Sequence, residues 1–210
     1  MIKHILFDLD CTLYSVSLGL EENVSRRVHE FASSWLSLPL KESERQRKEA
    51  LKHYGTTLEW LITEKGFTAT DDYFSFIHPE DEADSLLPDP ELRKFIENLP
   101  CPSSILTNSP FSHADRILKK LKFEGIFCHV FDIISNGFKG KPDEAAYRRA
   151  LNTLALKPEE VLFIDDMPRY VEGYLTIGGK GILLDELDTH KNYPCERIKN
   201  IKDLIRFLDH

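Results

Sequence analysis

The sequence predicts an α/β fold in which helices cover both faces of a parallel sheet and an all-helical cap is inserted near the N-terminus. Three observations carry this. Short β-rich runs recur at residues 2–7, 104–107, 130–134, 161–164 and 181–184, the pattern of strands buried on both faces. Helical periodicity fills the intervals after the second, third and fourth runs, and such alternation argues for parallel pairing with crossover helices. Between residues 15 and 88 the alternation stops, leaving helical periodicity without a convincing core strand.

Each element has its own signal. The run 2–7 is apolar and ends in Asp8-Leu9-Asp10. Residues 20–36, 41–54 and 57–65 read as cap helices, and Tyr73, Phe74 and Phe76 supply the cap with a small core. The charged run from Lys41 to Glu49 reads as a solvated helix face with i,i+4 pairing and no chemical role. Pro88-Asp89-Pro90 marks the return to the sheet, with Asp89 suited to cap a helix opened by Pro90. Helices are expected at 112–121, 142–154 and 168–177, and a last one at 201–208. The core is therefore assigned to residues 1–14 and 89–210, and the cap to 15–88.

Composition narrows the function. With 210 residues and 41% hydrophobic content the chain can bury a sizeable interior. A net charge of -8, from 35 acidic and 27 basic residues, argues against nucleic acid as a partner, because phosphate backbones need a basic footprint. Cys11, Cys101, Cys128 and Cys195 lie far apart, which fits reduced thiols better than a disulfide framework or a zinc site. No apolar run reaches the length of a membrane span, and no signal-type segment opens the chain. The expectation is a soluble cytoplasmic protein with no membrane partner, as a monomer or homodimer.

In an open sheet of this Rossmann-like kind, ligands bind beyond the carboxyl ends of the strands. Four such ends carry polar groups. Asp8 and Asp10 follow the first strand, and at i and i+2 in extended chain they face one pocket as nucleophile and proton carrier. Thr107 and Asn108 follow the second, at a helix entrance suited to phosphate, or simply as caps. Lys141 follows the third, fixed by Pro142, where an ammonium can neutralise a transferring phosphoryl group. Asp165 and Asp166 follow the fourth; such a pair facing Asp8 calls for a cation, and Mg2+ suits carboxylates combined with substrate phosphate oxygens.

Taken in order, Asp8-Leu9-Asp10-Cys11-Thr12, Thr107-Asn108, Lys141-Pro142 and Asp165-Asp166 resemble the four motifs of the haloacid dehalogenase superfamily of phosphatases. Within it, Leu13-Tyr14, the stretch His53-Tyr54-Gly55-Thr56-Thr57-Leu58 and Ile77-His78 look like the pyrimidine 5'-nucleotidase family. The resemblance implies that Asp8 attacks phosphorus to form an aspartyl-phosphate and that Asp10 protonates the leaving alkoxide and later activates water. It further implies that Thr107, Asn108 and Lys141 hold the phosphoryl oxygens. Mg2+ would be held by the Asp8 side chain, the Asp10 carbonyl and Asp166, with Asp165 acting through water or from behind, and Thr12 would orient the Asp10 loop through its hydroxyl. The implied substrate is a small phosphorylated metabolite, a nucleoside monophosphate bearing uracil or cytosine, selected by the cap.

Two positions depart from the pattern: Cys11 stands where this family has Asn, and Tyr170 where Asn or Asp is usual. Tyr14, Tyr54, Trp60 and His78 could touch substrate, but cap packing accounts for each. The competing readings are a phosphatase for a sugar phosphate or phosphoglycolate, and a catalytically silent module that binds a phosphoryl ligand or a protein. A dehalogenase has no need of the proton that Asp10 supplies.

Overall fold

The computed structural model describes residues 1–208. One sheet contains six strands: β1 (His4–Phe7), β2 (Ser103–Leu106), β3 (Val130–Phe131), β4 (Val161–Asp165), β5 (Lys180–Leu184) and β6 (Glu196–Ile198). All neighbours pair in parallel, in the order β3-β2-β1-β4-β5-β6. From β1 the chain builds outward through β2 and β3, then returns to the other side of β1 for β4. The switch in strand order therefore falls between β1 and β4, where the crevice of an open α/β sheet lies.

Both faces of the sheet are covered, which is why its strands read as unbroken apolar runs. Ile5, Phe7, Ile105, Ile164 and Ile182 pack on one face with α5 (Pro90–Glu97), α6 (Phe111–Leu121) and the C-terminal 3₁₀ turns Ile201–Phe207. Leu6, Leu106, Phe131 and Phe163 point the other way, against Tyr147, Ala150 and Leu151 of α7 (Glu144–Leu154) and Tyr174 of α8 (Pro168–Thr176). Asp89 caps α5 through the Leu92 N–H, and Pro90 opens the helix, as expected.

Several elements differ from the sequence expectation. Strand β3 stops at Phe131, because the Asp132 carboxylate accepts the Phe111 and Ser135 N–H groups and folds the following segment into turns. Strand β6 was not anticipated; Glu196 is exposed and only Ile198 is buried, so it offers no apolar run. Helix α7 starts after its cap Asp143, and residues 201–207 form 3₁₀ turns instead of an α-helix.

Residues 15–88 hold four α-helices: α1 (Leu20–Leu36), α2 (Leu40–Ala50), α3 (Thr57–Lys65) and α4 (Thr70–Ile77). The aromatic stretch lies on α4. Tyr73, Phe74 and Ile77 join Val28, Leu58, Trp60, Leu61 and Phe67 in a separate core, to which Ile133 from the far side of β3 is added. Trp60 and Tyr54 serve this layer, their polar atoms both bonding Glu64. No helix among the described residues is long and apolar enough to cross a membrane.

Backbone contact joins the helical layer to the sheet. Gly55 lies against the carbonyl of Gly140, so close that a Cβ there would collide with backbone. Glu59 accepts the Gly55 N–H at 2.9 Å and pairs with Lys139 at 2.7 Å, and Arg169 donates to the Tyr54 carbonyl at 3.2 Å. Gly55→Ala is expected to lower the melting temperature by several degrees and to slow turnover, because only a shift of the 139–141 segment relieves the clash. Thermal unfolding and steady-state rates measured on that variant check both effects.

Candidate active site

Parallel register sets the first part of the site. Phe7 pairs with Ile164, so Asp8 and Asp165 emerge side by side from adjacent strands, and the Asp8 N–H still donates to the Ile164 carbonyl at 2.8 Å. Lys141 reaches between them from the loop before α7, its Nζ 2.7 Å from Asp8 Oδ1 and 2.6 Å from Asp165 Oδ2. All three are buried. Its ammonium also lies over the ring of Tyr170, 5.1 Å from the centroid, which gives that unexpected tyrosine a place in the site.

Asn108 explains why Lys141 is so well fixed. Its Oδ1 accepts the Lys141 N–H at 2.7 Å and its Nδ2 donates to the Lys141 carbonyl at 3.0 Å. The amide thereby positions the lysine, and its second Nδ2 N–H is left for a ligand, since Asn108 also lines the cavity onto which these residues open. Thr107 is buried with its oxygen accepting the Ser109 N–H at 3.0 Å, which leaves the hydroxyl proton free to donate.

Asp8, Asp165 and Asp166 can each aim one oxygen so that all lie within 4.8 Å of one another. One ammonium faces three carboxylates there. Burial, and then the charges of Asp165 and Asp8, push Asp166 up to about 9. Asp165 spends Oδ2 on Lys141 and Oδ1 on the Met167 N–H, whereas Asp8 keeps one oxygen uncommitted. Excess negative charge on hard oxygen donors suits a divalent cation such as Mg2+, so the residues fit the expected metal.

Asp10 is held by a second set of groups. Its Oδ1 accepts Tyr14 Oη at 2.8 Å and His113 Nε2 at 2.7 Å, and its Oδ2 accepts Ser109 Oγ at 3.1 Å. The other His113 nitrogen, Nδ1, lies 2.7 Å from Glu82, which also bonds His78 Nδ1 at 2.8 Å and the Arg116 guanidinium. Burial alone would discharge His113, but the Asp10 charge and the hydrogen bonds to Asp10 and Glu82 outweigh it and lift the imidazole to about 10. Burial likewise would raise Asp10, yet His113 and Tyr14 hold it well below the usual carboxylate range. The proton of this pair therefore rests on His113 in the structure.

Sequence reasoning missed His113, Glu82, Ser109 and the polar role of Tyr14. One signal was available: Tyr14 lies four residues beyond Asp10, within reach if the chain turns there. Thr12 was expected to orient the Asp10 loop, but its buried Oγ1 has no hydrogen-bond partner among the described residues, and the loop is held by the groups around Asp10. Cys11 has φ +56°, in the left-handed region that Asn and Gly tolerate best, and its thiol is buried. Burial and the surrounding carboxylates push that thiol far up, so it is inert as a nucleophile.

The catalytic candidates open onto a cavity of about 350 Å³ between the sheet edge and the helical layer. Asp8, Asp10, Thr107, Lys141 and Asp166 line its floor, and residues of α1, α2 and α4 line the opposite wall.

Comparison with known proteins agrees with this fold. The structure resembles the HAD-hydrolase YfnB of Bacillus subtilis, solved with magnesium bound, at TM-score 0.62 and 17% identity, covering 100% of this chain and 99% of that one. It resembles a HAD phosphatase from Thermococcus onnurineus at 0.63 and 17%, covering 99% and 98%. The L-2-haloacid dehalogenase of Xanthobacter autotrophicus matches at 0.62 and 16%, covering 98% and 99%. At these identities the likeness speaks for the fold. Residues 2–172 match the family model described as haloacid dehalogenase-like hydrolase, and the chain belongs to that family.

Proposed function

We propose that the protein is a Mg2+-dependent phosphomonoester hydrolase that works through an aspartyl-phosphate on Asp8. One observation carries the reading: a carboxylate with one oxygen held by Lys141 and the other uncommitted lies beside an Asp10 whose hydrogen-bond set stores a proton. A phosphate ester needs that proton for its alkoxide leaving group. A carbon–halogen bond does not, so the groups around Asp10 favour phosphatase over dehalogenase chemistry.

In this mechanism the free oxygen of Asp8 attacks phosphorus, while Lys141 and Thr107 steady the oxygens of the phosphoryl group. Asp10, supplied from His113, protonates the leaving oxygen, and the same carboxylate then takes a proton from the water that releases phosphate. Mg2+ would be held by Asp8, Asp166 and the Asp10 carbonyl, and would offset the negative charge shared by carboxylates and phosphoryl oxygens. The helical layer acts as a cap that excludes water and contacts the leaving group. The substrate we infer is a pyrimidine nucleoside 5'-monophosphate; the motif resemblance and a cavity of small-ligand size support it.

The test is phosphate release from nucleoside 5'-monophosphates, sugar phosphates, phosphoglycolate and phenyl phosphate. Preference for UMP or CMP supports the substrate; turnover of other esters alone removes it and keeps the mechanism. Exhaustive chelation is expected to cut turnover by two orders of magnitude or more, on the scale of a lost charge-stabilising group. Readdition of Mg2+ should restore the rate and raise the melting temperature, and Asp166→Asn should abolish that thermal shift. Full activity after chelation would contradict the metal assignment.

A further inference from the structure

Arg47 stands apart from the charged run that contains it. Its neighbours Arg45 and Lys52 pair with Glu42 and Glu49 in solvent, whereas Arg47 turns inward and lines the catalytic cavity. Two neighbouring helices hold its guanidinium in place. Nε donates to Thr57 Oγ1 of α3 at 2.6 Å, and Nη1 lies 2.7 Å from His29 Nε2 of α1. An arginine nitrogen can only donate, so His29 must accept and is neutral, in keeping with the lowering of its pKa by burial and by Arg47.

Both partners are therefore uncharged. Among the described residues no carboxylate lies within 4.0 Å of the Arg47 nitrogens, and burial disfavours its charge. Guanidinium has five N–H donors, of which two are used in fixing it. The remainder belong to a pre-oriented cation with no carboxylate in direct contact, on the cap wall that faces the phosphoryl site, where Tyr73, Tyr170 and the more distant charges of Glu21 and Glu44 surround it. Desolvating a cation in this way is costly unless something supplies the missing acceptor.

We propose that Arg47 is the residue through which the cap reads the leaving group, donating to a planar carbonyl-type oxygen on the group esterified to phosphate. The inference rests on the phosphatase reading and deepens it by naming the chemistry the cap selects. Two sources can offer such an oxygen: a ring carbonyl, as in uracil and cytosine, or a carboxylate, as in phosphoglycolate. Adenine and phenyl groups offer neither.

The experiment compares kcat and KM of the wild type, Arg47→Met and Arg47→Lys for UMP, CMP, phosphoglycolate, AMP and phenyl phosphate, with Mg2+ present. Wild-type release of phosphate from any ester establishes the phosphatase reading independently; release from none overturns both. The wild type is expected to prefer UMP and CMP, or phosphoglycolate, over AMP and phenyl phosphate. In Arg47→Met the ratio of kcat/KM for the preferred ester to that for phenyl phosphate should fall on the order of 30- to 100-fold, mainly through KM, as loss of charge-assisted hydrogen bonds predicts. Arg47→Lys, which keeps the charge and loses the fork, should fall between the two and serves as the folded reference if the Met variant is unstable. A wild-type preference for AMP or phenyl phosphate, or a preference undiminished in both variants, overturns the proposal. Equal losses on every ester would assign Arg47 a structural role and overturn it as well.

Discussion

Asp8→Asn is expected to abolish phosphate release, with a loss on the order of 10⁴-fold or more, while the protein stays folded. Two features of the site argue for an effect of this size. An amide cannot act as the attacking oxygen, so the covalent route closes completely instead of slowing. Lys141, meanwhile, keeps its 2.6 Å contact with Asp165, so the substitution does not leave a buried ammonium alone. It also removes one of three crowded carboxylates, and the burial and neighbouring charges that push Asp8 upward show that the crowding is unfavourable without a divalent ion. The melting temperature of the metal-free variant should therefore equal or exceed that of the wild type, while the thermal shift on adding Mg2+ shrinks. Acid quenching during turnover provides a direct readout: wild-type protein should retain phosphate bound to Asp8, and the variant none. Residual turnover within a hundredfold of the wild type would remove Asp8 from the nucleophile role.

Much of this site was legible in the sequence because its groups follow strands whose apolar runs are hard to misread. Asp8 and Thr107 lie just beyond strand ends, Asp165 closes β4, and Lys141 lies just ahead of a helical segment. The observed parallel order β3-β2-β1-β4 brings them to one edge of the sheet. The unread part depends on distant pairing. His113 meets Asp10 across 103 positions and Glu82 across 31, and neither neighbour announces itself locally. Arg47 was concealed for a different reason. The run from Lys41 to Glu49 carries no large apolar residue to mark its inward face, so a guanidinium turned into a cavity looks the same in sequence as one in solvent. Asn108 was visible, but its orientation was not, since an amide at a helix entrance can serve a ligand or the backbone equally well. The residues that provide chemistry were thus easier to find than those that hold them in position.

The residues around Asp10 lead to an expected result that depends on the leaving group. If the proton delivered to the alkoxide is stored on His113, loss of Asp10 or His113 should matter in proportion to how badly the leaving group needs it. Asp10→Asn is expected to slow hydrolysis of alkyl phosphates by roughly 10²- to 10⁴-fold, the range of a lost general acid. The same variant should lose far less on p-nitrophenyl phosphate, whose nitrophenolate departs unprotonated. His113→Asn should follow the same pattern with smaller losses, since Asp10 would then draw its proton from solvent. Stability gives a second check. The folded His113 value, about 10, lies above the ordinary 6.5, so its contribution is fully present below about 6.5 and is lost as pH rises toward 10. Glu82 is depressed to about 2, against burial, by hydrogen bonds to His113 and His78, so its share is present above about 4.5 and is lost as pH falls toward 2. Wild-type stability should decline between pH 7 and 10, and His113→Asn should flatten that decline. Equal rate losses on both classes of ester, together with an unchanged alkaline profile, would assign His113 to packing alone. The combination expected here has a physical basis: the His113 imidazolium holds its proton against the Asp10 carboxylate until the leaving oxygen develops charge, and only then is the proton passed through Asp10 to that oxygen.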